Sequence, residues 1–185
     1  ARTAWFSKLT RADPVNGTPL RDALSKVGRL YAHKLSTVNT VTARDPIQYS
    51  CQRNYTILST DGYWNGGGPK NIVGSSLGDQ DGSLSRPEFD GKPTPDTLAD
   101  TAAYYYNTDL RASGFSNCTS GASGNDVCNN NVPTGTEDVA THQHMTTFTL
   151  GMGASGFMQF RNDYRTATSG DYFSVKNGST ADASA

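Results

Sequence analysis

The residue best placed for chemistry is Asp61. It follows Tyr55-Thr56-Ile57-Leu58-Ser59-Thr60, a short run of β-branched, aromatic and apolar residues, and it precedes Gly62. Such a run reads as a strand buried on at least one face. An acid at its end, followed by a glycine that frees the backbone to turn, falls where open α/β sheets bind ligands, in the crevice outside the carboxyl ends of their strands.

Other constellations compete with it. Asp79-Gln80-Asp81-Gly82-Ser83-Leu84 with Glu88 mimics the later part of a calcium-binding loop, giving Asp79, Asp81, Ser83 and Glu88 as oxygen donors. The first position of that loop would be Leu77, which cannot coordinate, and no helices are expected to flank it, so a solvated acidic turn is the simpler account. Gly74-Ser75-Ser76-Leu77-Gly78 fits the nucleophile-elbow spacing of serine hydrolases, and His142 or His144 with an aspartate could complete a triad. That motif demands a strand before and a helix after the serine, whereas a turn follows Ser76. His142 and His144, at alternate positions leading into a strand, could share a face as metal ligands, but no third ligand lies nearby in sequence. His33, at the end of a helix, most simply favours the helix dipole. Cys118 and Cys128, ten residues apart in a polar loop, are close enough to form a disulfide in an oxidising compartment, which leaves Cys51 over.

The elements that must position these residues follow from periodicity. Ala1, Ala4, Trp5 and Leu9 give an opening helix with Trp5 expected in the core. Asp13-Pro14-Val15-Asn16-Gly17 breaks it. Thr18-Pro19 reads as an N-cap and first helical residue, and Leu20, Ala23, Leu24, Val27, Leu30 and Tyr31 form the apolar stripe of a helix running to about Lys34. Thr18 then has capping as its simplest role. Residues 35–53 read as irregular, and residues 62–94 and 111–137 as long loop insertions, a type that in compact domains is usually functional or mobile. A second helix is expected from Pro95 to about Asp109, with Tyr105 and Tyr106 toward the core. A second strand is expected over Met145–Met152, followed by an irregular tail from 157 onward. Strands separated by helices imply parallel pairing in an α/β sheet, although two clear strands make a poor sheet.

At 185 residues the chain suits a single domain. A net charge of −1 gives no electrostatic footprint for nucleic acid or an anionic membrane, and the apolar runs are too short for membrane insertion. An exported parent is expected to carry its leader upstream of residue 1. Nineteen glycines and nine tyrosines with only 18% charged residues give the look of a secreted or surface-displayed protein with long ordered loops.

Three features in order, Gly17-Thr18-Pro19-Leu20 opening a helix, Thr60-Asp61-Gly62 closing a strand, and Thr147-Phe148-Thr149-Leu150-Gly151 as a later strand, resemble the second half of a von Willebrand factor A domain. A narrower set extends the likeness: Ser50-Cys51-Gln52-Arg53-Asn54-Tyr55, Thr60-Asp61-Gly62-Tyr63-Trp64-Asn65, Asp96-Thr97-Leu98-Ala99-Asp100, Asn131-Val132-Pro133 and Gln143-His144-Met145-Thr146-Thr147-Phe148-Thr149 together resemble the type IV pilus tip-associated adhesins of the PilY1/PilC family. The resemblance spans most of the chain. It implies an incomplete, doubly wound, mostly parallel α/β sheet of von Willebrand factor A type. It also implies a place at the bacterial cell surface or pilus tip, partners among minor pilins and host-surface or matrix ligands, and no catalysis. It makes Thr18 and Asp61 the second and third motifs of a divalent-metal-dependent adhesion site. A hydroxyl and a carboxylate are hard oxygen ligands suited to Mg²⁺, Mn²⁺ or Ca²⁺. The family's first motif, Asp-x-Ser-x-Ser, does not precede Thr18, and Asp81-Gly82-Ser83-Leu84-Ser85 matches it only after Asp61, so the site is expected to be incomplete in this chain.

Overall fold

The computed structural model describes residues 2–11, 17–38, 40–80, 94–122, 124–152 and 158–176. Its elements are helices α1 (Arg2–Leu9), α2 (Leu20–Tyr31), α3 (Leu98–Asn107) and α4 (Asp171–Lys176), strands β1 (Thr37–Val38), β2 (Val41–Thr42), β3 (Asn54–Thr60) and β4 (Met145–Gly151), and a 3₁₀ turn at Ser113–Phe115.

The two predicted strands pair in parallel, Asn54 opposite Met145 through Thr60 opposite Gly151. β1 and β2 form a separate antiparallel ribbon inside the stretch expected to be irregular. α2 packs on β3 and α3 on β4, and the two helices also pack on each other. The core lies beneath them: Leu24, Ala32, Ile72, Tyr105, Leu110 and Met145 are buried together, with Leu58 against them. Residues alternate across a strand, so Tyr55, Ile57, Phe148 and Leu150 face away from this core, and all four are exposed. The sheet is therefore covered on one face among the described residues, not wound on both. The α/β class and the parallel pair stand.

Several local expectations change. α1 forms, but Trp5 is 59% exposed and meets Phe6 edge-on rather than entering the core. α2 starts at Leu20 with Pro19 as its cap residue and no side-chain capping bond. It ends at Tyr31 because His33 takes the left-handed conformation usually left to glycine, and the Lys34 amide reaches back to the Arg29 carbonyl. The His33 imidazole lies 3.5 Å from the Asp45 carboxylate. α3 is capped at Thr97, whose hydroxyl accepts from the Asp100 amide while the Asp100 carboxylate accepts from the Thr97 amide, a reciprocal capping box. α4 lies in the tail expected to be irregular.

Gly28 sets how closely α2 and α3 approach. A Cβ there would fall 2.3–2.5 Å from the ring of Tyr105, which is buried and cannot swing away. Alanine elsewhere in a helix gains up to about 1 kcal/mol over glycine; here overpacking, at about 1–3 kcal/mol, outweighs that gain. Gly28→Ala is expected to lower the urea midpoint, and an unchanged or raised midpoint would show that the helices separate without cost.

Candidate functional site

β3 delivers Asp61 to the carboxyl end of the parallel pair, where its side chain is exposed. The chain turns at once: the Thr60 hydroxyl bonds both the amide and the carbonyl of Gly62 at 3.2 Å, and Gly62 has φ +150°. The following loop returns to the start of α2. The Thr18 amide donates to Asn65 Oδ1 at 2.8 Å, and the Asn65 amide donates to the Thr18 carbonyl at 2.9 Å. Gly17 makes this approach possible, because a Cβ there would stand 2.3 Å from Asn65 Oδ1. The Arg21 guanidinium lies 3.8 Å over the Trp64 ring and donates to the Asp96 carbonyl, which holds the loop between the starts of α2 and α3.

The loops carrying Thr18 and Asp61 are thus tied together by one backbone bond and one bond to the Asn65 side chain. Thr18 itself does not cap α2, because the helix begins one residue later with Pro19 at the cap position. Among the described residues neither the Thr18 hydroxyl nor the Asp61 carboxylate has a hydrogen-bond partner. Both are oxygen donors of the kind a hard cation takes, but two side chains fall short of the six or more oxygens such ions collect, so water, backbone carbonyls or an incoming ligand would have to supply the rest. Tyr63, 89% exposed, stands on the rim beside Asp61.

The competing sites fare differently. Ser76 donates to the Asp96 carboxylate at 3.1 Å, in an excursion that Asp96 anchors by also accepting from the Gly78 amide. Its bond goes to an acid and not to His142 or His144, both of which are held elsewhere, so the structure does not assemble the serine–histidine pair of that reading. His142 and His144 precede β4 rather than lying on it. His142 Nε2 meets the Tyr106 carbonyl at 3.0 Å, and buried His144 is held between the His142 carbonyl and Asp138. Asp79 is exposed; Asp81, Ser83 and Glu88 lie outside the described residues. Cys118 and Cys128 form the expected disulfide, and Cys51 is a free, exposed thiol. Among the described residues the clustered metal-ligating side chains are Cys118, Asp126 and Cys128, and the disulfide removes both thiolates as ligands.

Sequence reasoning missed a buried and heavily bonded side chain. Arg111, fully buried, donates to the Tyr31 carbonyl at 2.8 Å, to the Asn117 carbonyl at 2.9 Å and to the carboxylate of Asp45. Burial pushes the Asp45 carboxyl up, but the Arg111 bond and charge, with the Ile47 amide and Thr119 hydroxyl, outweigh it and leave the group below its ordinary 3.8. A second buried knot joins the starts of the strands: Asn54 Nδ2 donates to Gln143 Oε1 and to the His144 carbonyl, both at 3.0 Å.

Comparison with curated proteins agrees with the arrangement of motifs. The chain is 34% identical over 196 residues to the type IV pilus biogenesis factor PilY1 of Pseudomonas aeruginosa strain UCBPP-PA14, an alignment covering 96% of this chain. The chain belongs to the PilY1 family. PilY1 of strains PAK and PAO1 is 36% and 35% identical, with 82% of the chain covered in each case. The chain spans 14–16% of the length of these PilY1 relatives. No protein-family model and no solved structure matches it. Among the described residues no helix is long and apolar enough to cross a membrane.

Proposed function

We propose that this chain is a module of a type IV pilus-associated factor at the bacterial surface, and that it serves attachment and pilus assembly without catalysis. Its similarity to PilY1 across nearly its whole length supports the pilus context. The observation that supports an attachment site is the docking of the loop that follows Asp61 on the Thr18 backbone through Asn65. A strand-end acid and a threonine from a neighbouring loop are also what von Willebrand factor A domains, which this chain resembles, use to hold a divalent cation. Mg²⁺, Mn²⁺ or Ca²⁺, when bound, would supply a Lewis-acidic centre for a carboxylate of a host-surface or matrix ligand. Thr18 and Asp61 would hold it, directly or through water, and Asn65 would keep their two loops in register.

Calorimetry of the full-length parent protein with each cation tests this. Saturable heat that disappears in Asp61→Ala is the expected result. A full-length protein that binds none of the three, or binds equally well without Asp61, removes the metal site and leaves a scaffold that docks minor pilins. The scaffold reading draws on one observation: no group of three acids or histidines surrounds Asp61 among the described residues.

A further inference from the structure

The stretch around the disulfide gathers its metal-ligating side chains through a turn. The Cys128 amide donates to Asp126 Oδ1 at 2.9 Å and the Asn129 amide to the Asp126 carbonyl at 3.2 Å, which holds the carboxylate beside Cys128. With Cys118 bonded to Cys128, a carboxylate oxygen and the two sulfurs all fall within 4.8 Å of one another. Zn²⁺ bonds thiolate sulfur at about 2.3 Å and carboxylate oxygen at about 2.0–2.2 Å, which sets tetrahedral ligands about 3.6 Å apart. Once the sulfur–sulfur bond is open, shifts of about 1–2 Å let the three atoms share an ion.

The neighbours of both cysteines are anchored by bonds other than the disulfide. Asn117 Nδ2 donates to the Ala32 and Leu110 carbonyls at 2.8 and 2.7 Å, and the Thr119 hydroxyl donates to Asp45 at 3.1 Å. Fully buried Val127 sends its amide to the Thr119 carbonyl at 3.0 Å. Cys118 thus sits between two fastened residues and Cys128 follows a third, so a chain with free thiols keeps both sulfurs within reach of one ion. The Cys128 amide on Asp126 is the outer bond that a ligating carboxylate commonly carries. Two thiolates select a softer cation than the oxygens of Thr18 and Asp61 would, Zn²⁺ rather than Mg²⁺ or Ca²⁺. Asp126 is exposed, which leaves room for water in the fourth position.

We propose that, whenever the disulfide is open, Cys118, Asp126 and Cys128 bind a single Zn²⁺, so that metal and disulfide are alternative closures of the same loop. Binding forms two Zn–S bonds and one Zn–O bond, releases the two thiol protons to solvent and transfers no electrons. The site is separate from Thr18 and Asp61 and stands or falls without them.

Metal binding by the reduced full-length parent protein, kept free of oxygen, tests it. A phosphine opens the disulfide to two thiols, becomes the phosphine oxide by taking oxygen from water, and is removed before metal is added. Saturating Zn²⁺ should then block alkylation of Cys118 and Cys128, read residue by residue by mass spectrometry, and leave Cys51 reactive. Co²⁺ in place of Zn²⁺ should give the near-ultraviolet sulfur-to-metal absorption that oxygen ligands cannot produce. Cys128→Ser should remove this site's share of the band, and Cys51→Ser should leave the band unchanged. Asp126→Ala, at an exposed position, should weaken Zn²⁺ protection of the two thiols at least about 10-fold, the loss that removal of even an outer-shell partner causes. Cys118 and Cys128 that stay as reactive as Cys51 in saturating Zn²⁺ overturn the proposal, as does a cobalt band untouched by Cys128→Ser. Protection indifferent to Asp126→Ala also overturns it, in favour of a bare thiol pair.

Discussion

Arg111→Ala is expected to lower the unfolding free energy by about 3–5 kcal/mol, because it strands a largely buried carboxylate and two carbonyls that the guanidinium now satisfies. The loss should be read from urea midpoints at neutral pH, and a drop under about 1 kcal/mol would show that water replaces the guanidinium freely. Asp45→Asn in the same background should recover part of the loss, since the uncompensated charge is then gone. The acid limb carries a sign. The folded-state pKa of Asp45 is depressed, so its stabilisation is full above the ordinary 3.8 and is lost as pH falls through the lower folded value. Without Arg111 the bond and charge that lower the carboxyl most are gone and its pKa rises from the depressed value, so the variant's acid unfolding should begin at higher pH than the parent's.

Tyr105→Ala should cost a similar amount, about 3–5 kcal/mol, for emptying the centre of the core. Tyr105 is fully buried, seals Gly28 of α2 and donates its hydroxyl to the Lys70 carbonyl, so one side chain joins both helices to the long excursion after β3. Tyr105→Phe keeps the ring and removes only the bond, at a cost of about 1 kcal/mol. Equal losses in the two variants would mean that the hydroxyl, not the ring, holds the core. Burial, aided by the neighbouring Tyr104, pushes the Tyr105 phenol well above its ordinary 10.0. Its contribution is therefore complete below pH 10 and lost as pH climbs toward the folded value, and Tyr105→Phe should flatten that alkaline decline.

These two residues divide what the sequence discloses from what it hides. Tyr105 lies in the apolar stripe of a helix whose period is plain, and β3 and β4 are runs of β-branched and aromatic residues whose separation by a helix implies parallel pairing. Their packing could be read locally. Arg111 could not: its carboxylate partner is 66 residues away, and nothing around Arg44-Asp45-Pro46 marks it out. Thr18-Pro19 carries the local signature of a helix cap, yet Pro19 holds the cap position and Asn65, 47 residues on, engages the Thr18 amide. Trp5 sits at helical spacing, but no described element packs on its helix. At the candidate site, the strand end and the glycine after Asp61 were legible, whereas the Asn65 bonds and the Arg21–Trp64 stack that hold the loop depend on tertiary approach.

The bond between Cys118 and Cys128 has a consequence for timing. Asn117 and Thr119 flank Cys118; one gives its carbonyl to the guanidinium of Arg111 and the other its hydroxyl to Asp45. Until the thiols are oxidised, the segment presenting both groups is not clipped into shape. In a reducing compartment the contact between Thr119 and Asp45, 74 residues apart in sequence, would therefore lack the covalent clip that holds one of its ends. Whatever oxidises the two thiols thus also sets when the polar knot around Arg111 is closed.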